Sequence, residues 1–98
     1  MFQLVPRHAR KTVVIANAKG LHARAAGELA KVAEGLDAEF IVRKISTGTE
    51  VDGRSILDLM MLAAGRGTEL ELRAKGRDAR RLVRRAARLV EGLFNEGQ

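Results

Sequence analysis

The sequence predicts an α+β domain, a four-stranded antiparallel sheet with three helices packed on one face, in the order βαββαβα. Three observations carry that expectation. Residues 12–17, 38–45 and 68–75 are β-branched runs or alternate apolar and polar side chains with period two. Residues 23–35 and the stretch after Asp78 instead repeat apolar residues at intervals of three and four. Each strand also keeps one polar face, which suits an antiparallel sheet covered on one side, an open-faced sandwich.

Residues 1–10 read as a flexible leader with the only proline, Pro6, and the basic cluster Arg7, His8, Arg10, Lys11, ahead of one domain over residues 11–96. The first strand, 12–17, puts Val13 and Ile15 on one face, and Ala18-Lys19-Gly20 turns the chain. Ala26, Leu29, Ala30 and Ala33 mark the apolar side of a helix that ends at Gly35. A second strand spans 38–45, and Ser46-Thr47-Gly48 turns it into a short third strand around 50–52. Ser55 is a suitable N-cap for a short helix ending near Ala64, broken by Gly65 and Gly67. In the fourth strand Leu70, Leu72 and Ala74 face in, while Glu69, Glu71, Arg73 and Lys75 face out. Asp78 suits the positive end of a last helix. Its apolar stripe runs from Ala79, Leu82 and Val83 through Ala86, Ala87 and Val90 to Leu93 and Phe94.

Composition narrows the function classes. The 98 residues carry 18 Lys+Arg against 12 Asp+Glu, a net charge of +6. With no cysteine there is no disulfide scaffold, thiolate zinc site or thiol catalysis, which fits a reducing, cytoplasmic setting. No run approaches the ~20 apolar residues of a membrane span, so no membrane insertion is expected. No Walker loop, metal-ligand spacing or nucleophile elbow is present, so neither cofactor nor metal is expected. Arg77, Arg80, Arg81, Arg84, Arg85 and Arg88 crowd one stretch opposed only by Asp78. Such a run opposite an apolar stripe reads as a solvated helix face, and aromatic content of 3% supplies no stacking platform, so nucleic acid is the weaker reading of those arginines.

The informative segment is Gly20-Leu21-His22-Ala23-Arg24, at a strand-turn-helix junction. His22 stands where the chain enters the helix, beside the first-turn amides of Ala23, Arg24 and Ala25, which attract phosphate through their N–H groups and the helix dipole. A neutral imidazole nitrogen there is a nucleophile, and Arg24 can bring a planar, permanently charged fork to phosphoryl oxygens. These are the parts of a reversible phosphohistidine. A lone histidine at a helix start is nevertheless most often an ordinary surface residue, and spacing alone leaves the choice open.

That segment, followed by Ala26, resembles the active-site box of HPr, the histidine phosphocarrier of the phosphoenolpyruvate phosphotransferase system. Gly53-Arg54-Ser55-Ile56-Leu57, Met60-Met61-Leu62-Ala63-Ala64 and Gly67-Thr68 are similar to the family's second signature, and the likeness extends from about residue 12 to 94. Leu36-Asp37-Ala38-Glu39 and Leu59-Met60-Met61-Leu62 resemble the nitrogen-related branch. The resemblance implies that His22 accepts phosphate on Nδ1 from phosphorylated enzyme I and passes it to an EIIA-type protein, with Arg24 assisting, in sugar transport or in nitrogen and carbon regulation. It implies a monomeric carrier without turnover of its own, or a binding module switched by phosphorylation. It further implies a docking patch at Ile56, Leu57 and Met60, and regulatory phosphorylation of Ser55 by an HPr kinase/phosphorylase. Leu59 and Leu62 belong to the core, and His8 has no specific role. One departure stands out: where the family usually has proline this chain has Ala25, which restores one amide donor to the helix's first turn.

Overall fold

In the computed structural model, which describes residues 7–96, strands β1 (His8–Val14), β2 (Glu39–Lys44), β3 (Thr49–Asp52) and β4 (Glu69–Lys75) form one sheet in the order β1-β4-β2-β3. All three pairings are antiparallel. Because β1 and β2 both flank β4 in the opposite sense, they run parallel to each other, with β4 filling the gap between them. The chain crosses that gap through α1 (Ala23–Val32), while α2 (Ile56–Met61) and α3 (Ala79–Glu91) follow β3 and β4. This is the expected open-faced α+β sandwich.

Strand periodicity decides which face is covered. Val13, Phe40, Val42, Leu70, Leu72 and Ala74 are buried beneath the helices, where they meet Leu29 of α1 and Leu82, Ala86 and Val90 of α3. The opposite face carries a chain of alternating charges. Glu71 lies 3.8 Å from Arg10 and 3.3 Å from Arg73, and Arg73 in turn meets Glu50. Those rows follow from the register Arg10↔Arg73↔Ile41 and Thr12↔Glu71↔Arg43. The ion pairs run diagonally between strands and along β4, and they leave this uncovered face polar.

Several element ends differ from expectation. The first strand starts at His8, so residues 8–10 belong to the sheet and not to a leader. Their backbone pairs with residues 73–75 of β4, and this long-range ladder outweighs the absence of local periodicity. The rest of the expected leader, residues 1–6, lies outside the described residues. Helix α1 ends at Val32, before Gly35, and Arg54 holds the segment that follows: its guanidinium donates to the carbonyls of Ala33, Leu36 and Ala38 at 2.9, 3.0 and 2.5 Å. Helix α2 stops at Met61 and not near Ala64. Ala63 is left-handed (φ 51°), and Lys44 Nζ donates to the carbonyl of Leu62 at 2.9 Å. Helix α3 ends at Glu91, so Leu93 and Phe94 are not part of its stripe.

Ser55 does cap α2: its hydroxyl accepts from the amide of Asp58 at 3.1 Å. Replacing Ser55 with alanine is expected to lower stability by about 1 kcal/mol in urea unfolding, with the slope unchanged. A change near zero would mean that water caps this helix equally well.

Candidate functional site

The site is built where the end of β1, the start of α1 and the chain after α3 converge. Gly20 makes the convergence possible. It is left-handed (φ 66°), and a Cβ there would lie 2.6 Å from the carbonyl oxygen of Ala64 and 2.8 Å from Cα of Gly65. The Leu21 amide donates to that same Ala64 carbonyl at 2.9 Å, which pins the turn and buries Leu21. His22 is then the N-cap residue of α1, extended (φ −78°, ψ −179°), with no side-chain capping bond. Its ring is free to turn away from the helix.

The first intrahelical hydrogen bond runs from the Ala26 amide to the His22 carbonyl at 2.8 Å. The amides of Ala23, Arg24 and Ala25 precede it and so have no acceptor within the helix. Sequence reasoning therefore located the ring and these amides in one place. It did not see what faces the ring. Oε2 of Glu96 sits 2.5 Å from His22 Nε2 and 2.6 Å from Arg24 Nη2, while Oε1 accepts from Asn17 Nδ2 at 3.0 Å. Asn17 is fully buried and also donates to the Gly20 carbonyl at 2.8 Å, tying the turn to the carboxylate.

Glu96 arrives there through an unusual turn. After Gly92, residues Leu93, Phe94 and Asn95 are all left-handed, with φ of 60°, 51° and 62°. Such conformations are costly for residues with a Cβ and persist where the surroundings enforce them. Here Phe94 is fully buried in the core, and its carbonyl accepts from Arg24 Nη2 at 3.1 Å. The anchored turn swings the next carboxylate onto the imidazole. No periodic signal marks Glu96 or Asn17, and a sequence separation of 74 between Glu96 and His22 hides their contact from local reading.

A carboxylate has no proton to offer, so the short Nε2 contact requires the ring proton on Nε2. In the neutral ring the lone pair then sits on Nδ1. The ring side chain is 28% exposed, and the Glu96 side chain 13%. Arg24, half exposed, is held between two acids, with Nη1 donating to Glu28 at 2.6 Å and Nη2 to Glu96. The Glu96 carboxyl is pulled down from 4.5 to about 2, first by the hydrogen bond from His22, then by those from Asn17 and Arg24, against an opposing effect of desolvation.

A carboxyl that titrates lower in the folded chain than in the unfolded one stabilises the fold fully above pH 4.5. That contribution fades as the pH falls toward 2. An acid titration followed by the Glu96 side-chain carbon resonance should therefore give a midpoint near 2. A midpoint near 4.5 would mean that the tether to His22 is not kept in solution.

Beside the site, α2 exposes apolar residues. Ile56, Leu57 and Met60 are 47%, 68% and 41% exposed, while Leu59 and Leu62 are buried as expected. Met61, not singled out from the sequence, is the most exposed of the run at 74%. A Cβ on Gly27 of α1 would lie 3.8 Å from Ile56 Cδ1, so this patch adjoins the helix that begins at His22. Ser55 stands at the near end of α2 with its hydroxyl engaged in the cap. His8 pairs with Lys75 at the start of β1. Among the described residues, no helix is long and apolar enough to cross a membrane.

Fold and site together define an open-faced α+β domain with a carboxylate-held histidine at the mouth of a helix. Residues 9–92 match the family model of the PTS HPr component phosphorylation site. The chain is 38% identical to phosphocarrier protein HPr of Neisseria meningitidis over 89 residues, covering 91% of this chain and 98% of that protein. It is 36% identical to phosphocarrier protein NPr of Escherichia coli over 88 residues, covering 90% of this chain and 92% of that one. The crystal structure of HPr from Thermoanaerobacter tengcongensis superposes with a TM-score of 0.84 at 30% identity, over 90% of this chain and 97% of that one. The chain belongs to the HPr family of phosphocarriers of the phosphotransferase system.

Proposed function

We propose that His22 is the phosphoacceptor, taking a phosphoryl group on Nδ1 from phosphorylated enzyme I and handing it to an EIIA-type protein. The observation that carries this reading is the Glu96 carboxylate on Nε2, which leaves the opposite nitrogen with the lone pair. In the transfer, the Nδ1 lone pair forms the new bond to phosphorus as the bond from phosphorus to the donor breaks and its electrons return to the donor. The Nε2 proton stays in place, and the carboxylate beside it stabilises the positive charge that the ring acquires.

Such transfers rest on positioning and electrostatics, since the phosphoryl group passes in line through a loose transition state. The amides of Ala23, Arg24 and Ala25, which have no acceptor within the helix, lie at the positive end of α1 and suit the phosphoryl oxygens. Arg24 is the mobile cation. Shared between Glu28 and Glu96 in the unmodified chain, it can exchange a carboxylate oxygen for a phosphoryl oxygen without crossing the site. The carboxylates also keep the carrier from gripping phosphate too well, which would stop the second transfer.

Ile56, Leu57 and Met60 form the partner-docking surface in this reading, with Met60 an adaptable contact, and their exposure beside α1 supports it. Ser55 is the regulatory position. A phosphate on its hydroxyl would add about two negative charges next to the docking face and weaken the approach of enzyme I.

The test is labelling of the full chain with phosphoenolpyruvate and enzyme I, peptide mapping by mass spectrometry, and a chase with an EIIA-type protein. An acid-labile, base-stable phosphate on the peptide carrying His22, lost to EIIA in the chase, is the expected result. Label on another residue would overturn the assignment. Label retained through the chase would leave a phosphorylation switch and no carrier.

A further inference from the structure

The outer side of the molecule formed by β1 and α3 carries charge that phosphoryl transfer does not use. Arg80, Arg81, Arg84, Arg85 and Arg88 are all exposed, and among the described residues none of them has a carboxylate within ion-pair distance. Arg80, Arg84 and Arg88 recur every four residues, so they form one row along the helix. That row faces Lys11 of β1 across a groove of about 400 Å³, whose rim also includes Arg10, a residue paired with Glu71 on the uncovered side of the sheet. The floor of the groove is apolar and made of small residues, Ala9, Val83 and Ala87. Among the described residues its one lining carboxylate, Glu91, already reaches across to Lys11 Nζ at 3.2 Å.

Among the described residues, strand β1 is also an edge of the sheet, with β4 on one side and no strand on the other. A free edge offers backbone donors and acceptors to an added strand. We propose that this groove docks an extended acidic segment of a partner protein, laid along the outer edge of β1 with its carboxylates on the arginine row. Arginine suits such a partner because its fork meets a carboxylate with two parallel hydrogen bonds. An extended segment turns alternate side chains to opposite sides, so small apolar residues can meet the floor while acidic ones meet the rim.

Other polyanions fit less well. The apolar stripe of α3 is turned into the core, so the helix has no apolar face to press into a lipid surface. A nucleic-acid duplex would need a broad basic surface and would have no use for a narrow groove or a free strand edge. The Lys11–Glu91 pair supplies an internal check. If the groove selects carboxylates, Glu91 competes with the incoming segment, and neutralising it should favour binding. None of this depends on the chemistry assigned to His22.

The experiment is a titration of the full chain with a fluorescent peptide of alternating glutamate and valine at low salt. Binding is read by anisotropy and by backbone and arginine side-chain NMR. A short DNA duplex and vesicles of mixed phosphatidylglycerol and phosphatidylcholine are titrated in parallel. Peptide binding should shift the amides of residues 8–14 and the side chains of Arg80, Arg84 and Arg88. Arg84→Glu should weaken it about tenfold and Glu91→Gln strengthen it a few-fold, both with the NMR spectrum of a folded chain and unchanged phosphorylation by enzyme I. The proposal is overturned if the β1 amides do not move, if the duplex or the vesicles bind at least as tightly as the peptide, or if Glu91→Gln fails to strengthen binding.

Discussion

Replacing His22 with glutamine is expected to leave no measurable phosphoryl uptake from enzyme I, while replacing Glu96 with alanine lowers it about tenfold, a modest rise in barrier. The difference follows from what each side chain does in the proposed site. Glutamine keeps a polar group at the helix mouth but has no lone pair able to attack phosphorus. Glu96 touches the other ring nitrogen and acts through the ring, so its loss spares the nucleophile and removes its orientation. Glu96→Gln should fall between wild type and alanine, because its amide oxygen still accepts from Nε2–H without supplying charge. A purely structural role for Glu96 would leave the ring tautomer alone. Nitrogen NMR of the neutral ring should therefore show the proton on Nε2 in the wild type and a mixture in Glu96→Ala. An unchanged tautomer, or uptake that survives His22→Gln, would sink the account.

The second large effect is on the backbone. Gly20→Ala is expected to destabilise the fold by roughly 3 kcal/mol, since it adds a left-handed strain of about 1–2 kcal/mol to a steric conflict with a backbone that cannot step aside. The conflict involves the Ala64 carbonyl at 2.6 Å, the same group that receives the Leu21 amide. Gly35 is the control. It too is left-handed (φ 76°), but nothing lies within 4 Å of a Cβ there, so Gly35→Ala should cost only the ~1 kcal/mol of the conformation itself. Urea unfolding of both variants measures the gap. Equal losses would show that the close approach at Gly20 relaxes freely.

Most of the scaffold was legible in the chain because its signals are local. Alternation in residues 69–75 and the three-four spacing in α1 and α3 report which side of each element is covered, whatever it is covered by. The active-site box and the Ser55 segment could be placed at helix starts for the same reason. The misread ends are those governed by partners distant in sequence. Residues 8–10 extend because β4 pairs with them, and the chain that leaves α1 is held by Arg54, 21 positions beyond Ala33, whose guanidinium binds carbonyls just past the helix end. The left-handed turn at Leu93–Asn95 lies furthest from any propensity, since leucine and phenylalanine would extend α3 if left to themselves.

The amino-acid order alone determined the element sequence, the buried face of each strand and helix, and the presence of an imidazole, an arginine and free amides at one helix mouth. Tertiary structure alone decided that a carboxylate from the far end of the chain would stand against that imidazole, and so which ring nitrogen keeps its lone pair. The physical reason is range. Periodicity and capping act over a few residues, whereas a hydrogen bond between residues 22 and 96 exists only after Phe94 has found the core and carried Glu96 with it.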